Sequence, residues 1–353
     1  MKLNTNNLKK MLSHMSKCKP NNLLEITNYY ELLLNSDGLT ITGTDGTNYI
    51  SIYSEEGAQD DEQHIIVKAD QFSRLVNKTT SESIDLKVMS DYLQVKGNGT
   101  YKCEIYADED YPDYDIEPDK SFRVNLNQLK HGILAGKNAK SNTASDGVLY
   151  SYLVRGNKII AADSIKISYT PVEGLDIETL IPPSLANLIN ALDGDVVTVS
   201  VDDTMSSILF EGSNVTVYGS LAEGVDEYPD VSFMFEDAYP FKCVLDTQST
   251  LQALDRLRLF VGAYDSGAID MTFTDGALIL STLTGSNEIL PFSKKVEGLN
   301  EEVELRINGQ YLNDIVSSML GASYELHFGD DDSLKLVSEG DAFILATADG
   351  DDE

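Results

Sequence analysis

The feature that most constrains this chain is repetition. Two acidic residues followed by Tyr-Pro-Asp occur twice, at Glu109-Asp110-Tyr111-Pro112-Asp113 and at Asp226-Glu227-Tyr228-Pro229-Asp230. The two prolines lie 117 residues apart, and one more step of that length arrives just short of residue 353. Internal repeats decide a whole fold when they are present. Here they divide the sequence into three domains, 1–119, 120–232 and 233–353, each large enough to enclose its own core.

The internal order of the repeats supports that division. Each repeat opens with apolar residues at helical spacing: Leu8, Met11, Leu12 and Met15; then Leu126, Leu129 and Ile133; then Leu254, Leu257 and Val261. Each has a second such segment ahead of its closing strands. These are Phe72, Leu75 and Val76; Leu185, Leu188, Ile189 and Leu192 after Pro182-Pro183; and Leu312, Ile315, Val316 and Met319. Alternating β-branched runs fill the rest, such as Leu39-Thr40-Ile41-Thr42 after Asp37-Gly38, Ile159-Ile160 after Gly156-Asn157, and Leu278-Ile279-Leu280 after Asp275-Gly276. Asp193-Gly194 and Gly97-Asn98-Gly99 read as further hairpin turns. The fold class is therefore α+β, with two helices packed on antiparallel sheet in each repeat. The acidic, proline-containing stretches 108–119 and 225–237 read as connectors.

Charge is the second constraint. The chain carries 58 acidic and 26 basic residues, a net charge of −32. The excess is spread over all three repeats, at −10, −6 and −16. Such a surface repels phosphates and excludes nucleic-acid binding through an ordinary basic face. With 42% hydrophobic residues, the chain has enough apolar content for packed cores. No apolar run approaches the ~20 residues that span a bilayer, and the start carries no signal-peptide core, so no membrane partner is expected. Cys18, Cys103 and Cys243 are far apart with no C-x-x-C pair, which indicates a reducing, cytoplasmic setting and no disulfide framework.

The few cations fall in a pattern. With Leu8, Met11, Leu12 and Met15 facing a core, Lys10 and Lys17 point to the opposite side and Lys9 to one flank. Arg74 and Lys78 lie opposite Phe72, Leu75 and Val76, and Arg256 lies opposite Leu254 and Leu257. Lys130 and His131 are the corresponding candidates in the second repeat, with Lys130 near the core edge. Any amphipathic helix needs a polar outer face, and the second helices of repeats two and three present Asn187, Asn190, Asp314, Ser317 and Ser318 instead.

Enzyme chemistry leaves no signature. There is no G-x-x-x-x-G-K-[ST] loop, no G-x-S-x-G elbow and no H-E-x-x-H. His14, His64, His131 and His327 lack ligand spacing, and Asp330-Asp331-Asp332 lacks the calcium-loop pattern and reads as a turn. Neither a metal nor a cofactor is implied.

The repeat, the two-helix units, the acidic charge and the Tyr-Pro-Asp connector together resemble the bacterial DNA polymerase III β subunit, the replicative sliding clamp. The closest local matches are Leu221 to Val231, similar to the family's connector between its second and third domains, and Ile159 to Ile167, similar to a family strand and turn. The resemblance implies three DNA-clamp domains per chain and a head-to-tail homodimer closed into a ring. Such a ring encircles duplex DNA, tethers a DNA polymerase and is opened by a clamp loader. Lys9, Lys10, Lys17, Arg74, Lys78, Lys130, His131 and Arg256 would then face DNA. Closure would bring Tyr101, Cys103 and Ile105 of one copy against Leu259 and Phe260 of the other.

The family also receives partner peptides in a cleft between domains two and three. The matching positions are Leu149, Ala162, Ser164, Ile165, Ile167, Pro229 and Met234, with Ala346, Thr347 and Ala348 at the far side. The family's Met-Pro-Met-Arg-Leu end is replaced here by an acidic tail, and the Gly and His of its turn are absent. A bacteriophage clamp serving its own polymerase would account for such departures. The competing reading is a non-enzymatic acidic interaction protein, such as a DNA mimic that occupies a basic partner.

Overall fold

The structure, a computed structural model, describes residues 1–106, 110–236, 238–262, 267–329 and 332–348. The first repeat runs β1 (Lys2–Asn4), α1 (Thr5–Met15), β2 (Tyr29–Leu34), β3 (Leu39–Thr44), β4 (Asn48–Ser54), β5 (Gln63–Lys68), α2 (Ala69–Lys78), β6 (Ser83–Val88), β7 (Tyr92–Lys96) and β8 (Thr100–Tyr106). The second runs β9 (Lys120–Asn125), α3 (Leu126–Ala139), β10 (Tyr152–Val154), β11 (Lys158–Ala162), β12 (Lys166–Pro171), β13 (Thr179–Ile181), α4 (Pro183–Ile189), β14 (Val196–Val201), β15 (Ser207–Glu211) and β16 (Val215–Ser220). A short helix, α5 (Phe233–Glu236), precedes the elements of the third: β17 (Phe241–Asp246), α6 (Thr247–Leu257), β18 (Ala268–Phe273), β19 (Ala277–Ser281), β20 (Asn287–Pro291), β21 (Val303–Asn308), α7 (Gly309–Ser318), β22 (Ser323–Phe328), β23 (Ser333–Ser338) and β24 (Asp341–Ala346). The same strand–helix–three-strand module thus occurs six times, twice per repeat.

Helix starts follow a local rule. Asn4, Asp246 and Asn308 each end a strand, hold extended backbone and accept a bond from the first turn of the following helix. Asn4 accepts from the amides of Asn6 at 2.9 Å and Asn7 at 3.2 Å. A short polar side chain at that point satisfies amides that have no partner inside the helix. On α1 the buried residues are Thr5, Leu8, Met11, Leu12 and Met15, and on α7 they include Leu312, Ile315 and Val316. The expected helical stripes are therefore core faces. Leu75 is only half-buried, and Val261 lies outside its helix: α6 ends at Leu257, a 3₁₀ turn follows at Arg258–Phe260, and Val261 packs partly buried from beyond it.

Sheet pairing joins the repeats. A twelve-stranded sheet has the order β1-β6-β7-β8-β5-β2-β3-β4-β16-β15-β14-β9, in which β4 of the first repeat pairs with β16 of the second. An eight-stranded sheet has the order β13-β10-β11-β12-β24-β23-β22-β17, with β12 paired to β24 across the next repeat boundary. A four-stranded sheet, β20-β19-β18-β21, completes the third repeat. Among the described residues, the pairings with a defined register are antiparallel. Because hydrogen bonds cross the repeat boundaries, the compact units differ from the repeats. One contains residues 1–127 and 181–222, the other 128–180 and 223–353. The second repeat is shared between them.

One expectation needs correction. Asp193-Gly194 is no hairpin: it connects α4 to β14, and the Asp193 carboxylate accepts the amides of Asn214 and Val215. The connectors are packed through their tyrosines. Tyr111 is buried with Tyr29 and Ile66 and donates its hydroxyl to the Tyr29 carbonyl at 3.1 Å, Tyr114 stacks on Tyr218 at 4.7 Å, and Tyr228 is buried. The tyrosines of the repeated motif are anchors. Asp331, Asp330 and residues 107–109 and 237 lie outside the described residues.

Candidate DNA-facing and partner-binding surfaces

The predicted cations separate into free and engaged groups. Lys10 on α1 and Lys78 on α2 are exposed and make no ion pair among the described residues. Lys9 donates to the Thr79 carbonyl at 2.7 Å, at the C-terminal end of α2. Lys17 donates to the Asn190 carbonyl at 2.7 Å, at the end of α4, and Asn187 returns a bond to the Lys17 carbonyl. A helix C-terminus presents carbonyls and partial negative charge, so an ammonium there is a natural cap. These two lysines tie α1 to its neighbouring helices. Arg74 remains exposed but pairs with Asp70 at 2.8 Å on its own helix. Arg256 grips both oxygens of Glu288, at 2.7 and 2.8 Å.

The second repeat departs most from the expectation. The His131 Nε2 lies 2.5 Å from the Asp341 carboxylate, and both side chains are nearly buried. His131 therefore joins α3 to β24 and does not lie on an outer face. Lys130 is half-buried, whereas Lys137, one heptad further along α3, is exposed. Sequence reasoning missed Lys137; the same seven-residue step that relates the two would have found it. Helix α3 lies close to its sheet because it carries Gly132 and Gly136. A Cβ on Gly132 would fall 2.7 Å from Ile159, and one on Gly136 would fall 2.8 Å from Tyr152.

The predicted peptide-binding residues belong to one compact unit, 128–180 with 223–353. Ala162 pairs with Ile167 across β11 and β12, and Ile167 pairs with Ile344 on β24. The Ala346 amide donates to the Ile165 carbonyl at 2.8 Å. These bonds bring Ala162, Ile165, Ile167 and Ala346 together. Asp163 shapes the intervening turn by accepting the amides of Ile165 and Lys166, both at 2.7 Å, which leaves Ser164 and Ile165 exposed. Thr347 donates its amide to Asp332 and Ala348 to Arg306. Helix α5 packs on β24 and carries half-buried Met234 beside exposed Phe233. Pro229 is exposed next to buried Tyr228, whose hydroxyl pKa is driven up by burial, with the Ala162 backbone opposing. Leu149 is half-buried, and its carbonyl accepts the Ser141 amide at 3.0 Å.

One residue among these was not anticipated. Lys166 lies between Ile165 and Ile167 yet is 6% exposed. Its ammonium sits 3.2 Å from Asp163 and 4.2 Å from the centre of the Tyr311 ring on α7. A lysine inside an alternating strand gives no sign in the sequence that it will be covered by a ring from 145 residues later.

At the predicted contact between copies, side chains alternate. Tyr101 is exposed, Ile105 half-buried and Cys103 buried. The Cys103 side chain belongs to a core, and burial pushes its thiol up to about 11. Along β8, residues 100–104 pair with β7, whereas only Ile105 and Tyr106 pair with β5. Leu259 and Phe260 are 80% and 56% exposed, close to the β19–β20 turn, where Thr284 donates to the Phe260 carbonyl. Ile289 on the edge strand β20 is also exposed.

Several known proteins are similar to this chain. Residues 1–115 match the family of the DNA polymerase III beta subunit, N-terminal domain. The beta sliding clamp of Bacillus subtilis is 23% identical over 325 residues, covering 84% of each chain. That of Staphylococcus aureus is 22% identical over 306 residues, covering 82% of this chain and 78% of its own. Among solved structures, the Bacillus subtilis sliding clamp superposes with a TM-score of 0.84 at 18% identity over 98% of both chains. The beta subunit of Streptococcus pyogenes gives 0.85 at 19% identity, covering 98% of this chain and 99% of its own. The Helicobacter pylori beta clamp, solved with a DNA ligase peptide, gives 0.84 at 14% identity over 99% of both. The chain thus matches the DNA polymerase III beta subunit model over its N-terminal third and has the fold of the bacterial sliding clamps along its whole length.

Proposed function

We propose that this protein is a DNA polymerase processivity factor that acts by topology and catalyses no reaction. Two copies close head to tail around duplex DNA, and the groove at Ala162–Ile167 and Ala346–Ala348 holds a short segment of a polymerase or clamp loader. The observation that carries this reading is likeness to sliding clamps along the whole chain, at a TM-score of 0.84 over 98% of its length. The Helicobacter pylori neighbour, solved with a DNA ligase peptide, supports peptide binding by this fold.

Closure has a physical basis in two unsatisfied edges. The outer side of β8 at residues 100–104 and the edge strand β20 each offer backbone groups, flanked by exposed Tyr101 on one and by Leu259, Phe260 and Ile289 on the other. Heterologous contacts of this kind either close or propagate as filaments, and three repeats per copy close as a six-domain ring. Within it Lys10, Lys78 and Lys137 supply weak, sequence-independent phosphate contacts that permit sliding. The acidic remainder keeps DNA off the outside. The setting is the cytoplasm of a bacterium or of a phage-infected host.

The test uses nicked circular duplex DNA. Protein loaded onto circles by a bacterial clamp loader and ATP is expected to co-elute with them in high salt and to be released when a single restriction cut linearises them. Equal retention on linear and circular DNA, or none on either, overturns the ring.

A further inference from the structure

Strand β17 stands at the end of the eight-stranded sheet, with β22 on one side only. Its pairing with β22 runs without a bulge from Phe241 opposite Phe328 to Asp246 opposite Ser323. Its other edge has no backbone partner among the described residues. Cys243 and Leu245 are buried, while Lys242, Val244 and Asp246 are exposed. An edge of this kind is a template for a further strand unless something covers it.

The segment that could cover it is fastened elsewhere. Between β20 and β21, the Phe292 amide donates to the Gly276 carbonyl at 2.9 Å and the Val296 amide to the Asp275 carbonyl at 3.0 Å. Val296 and Leu299 are anchored in the core of the third repeat. The segment approaches β17 at Gly298, where a Cβ would lie 4.0 Å from the Phe241 ring. A groove of about 700 Å³ is left between residues 241–244 of the edge and residues 293–297.

The walls of this groove gather cations in an acidic repeat. Lys242, Lys294 and Lys295 are three of the seven lysines and arginines in residues 233–353, where the net charge is −16. Against them the walls hold two carboxylates, Glu297 and Glu325. Lys242 pairs with Glu325 at 3.2 Å and Lys295 pairs with Asp275, whereas Lys294 makes no ion pair among the described residues. Both pairs are largely exposed, and exposed pairs are weak enough to exchange for an incoming carboxylate.

We propose that this groove docks an extended acidic segment of a partner protein, which adds as a strand to the free edge of β17. Its apolar side chains lie against Phe241 and Val244, and its carboxylates lie beside Lys294 and Lys295. Main-chain bonds along a strand edge supply affinity, and the flanking side chains supply selectivity. The acidic remainder of the surface repels such a segment, so its approach is favoured where these lysines collect. The site shares no residue with the groove at Ala162–Ile167 and Ala346–Ala348, and it does not depend on ring closure.

The probes are fluorescein-labelled hexapeptides of alternating Val and Glu, and the same peptides with Gln for Glu. Binding is read by anisotropy on the intact protein. The Glu version is expected to bind about tenfold more tightly in low salt, with the difference shrinking as salt screens the charges. Methylating the peptide amides along one edge should abolish binding, and methylating those along the other edge should leave it largely intact, because a single edge pairs with β17. Lys294→Gln combined with Lys295→Gln should bring the Glu-to-Gln ratio near one while retention on circular DNA is unchanged. Equal binding of the two versions, a preference that survives the double variant, equal effects of methylation on both edges, or no binding at all overturns the proposal. Binding that appears only after residues 349–353 are deleted assigns the groove to the chain's own acidic end and overturns the assignment to a partner.

Discussion

Lys9 and Lys17 show how little a residue's place on a helical wheel says about its task. Lys9 projects from the polar side of α1 and Lys17 from just past its end, yet each meets a carbonyl at the end of another helix, whereas Lys10 and Lys78 meet none among the described residues. Replacing Lys10 and Lys78 together by Ala is therefore expected to weaken retention on circular DNA several-fold in low salt, with an unchanged melting temperature. Lys9→Ala should lower the melting temperature instead. Retention that survives the Lys10/Lys78 change would remove these residues from the DNA path. Asp193 offers a pH-dependent counterpart. Burial opposes its ionisation, but bonds from the Asn214 amide and side chain and from the Val215 amide outweigh it and hold the carboxyl below its usual value. The contribution to stability is thus fully present above the unfolded pKa of about 3.8 and is lost as pH falls through the folded value. Asp193→Asn should flatten the dependence of the urea midpoint on pH below about 5; a dependence identical to the parent's would contradict this.

Elements were the most legible level of this sequence. All six principal helices lie where apolar residues recur at helical spacing, because a helix in a packed domain must bury one stripe. Three of their starts have a local cause that the structure shows: Asn4, Asp246 and Asn308 accept from amides two or three residues ahead. Asn4→Ala is expected to cost about 1 kcal/mol of stability, the usual loss for an N-cap, measured by urea unfolding; a change near zero would show that packing alone holds α1. What local spacing could not convey was where elements end against distant neighbours. Asp193-Gly194 has a hairpin's composition but serves a helix-to-strand passage, and its partners Asn214 and Val215 are twenty residues away. Likewise the Tyr-Pro-Asp stretches have a linker's composition but bury their tyrosines.

On the scale of the whole molecule, stability and function depend on how sheet edges are disposed. Edges within the chain are joined across repeat boundaries at β4–β16 and β12–β24. The open edges that remain, with the exposed Leu259 and Phe260, are the liabilities that an interface would cover. Native mass spectrometry at micromolar concentration is expected to find a dimer, and Phe260→Asp to shift it to monomer without loss of helical circular dichroism. A monomer from the unaltered protein would contradict closure.

The sequence by itself determined the threefold repeat, the helix faces, the acidic surface and the resemblance to sliding clamps. Each of these is written in local spacing or in composition, so no knowledge of distant contacts is needed to read it. Only the tertiary structure decided which charges are free. His131 is paired with Asp341 from 210 residues away, Lys17 is tied to Asn190, and Lys166 is covered by Tyr311. A charge acquires its role from what the fold places beside it, and those partners come from strands and helices far away in sequence. The net charge of −32 therefore describes the surface as a whole and not the role of any one side chain.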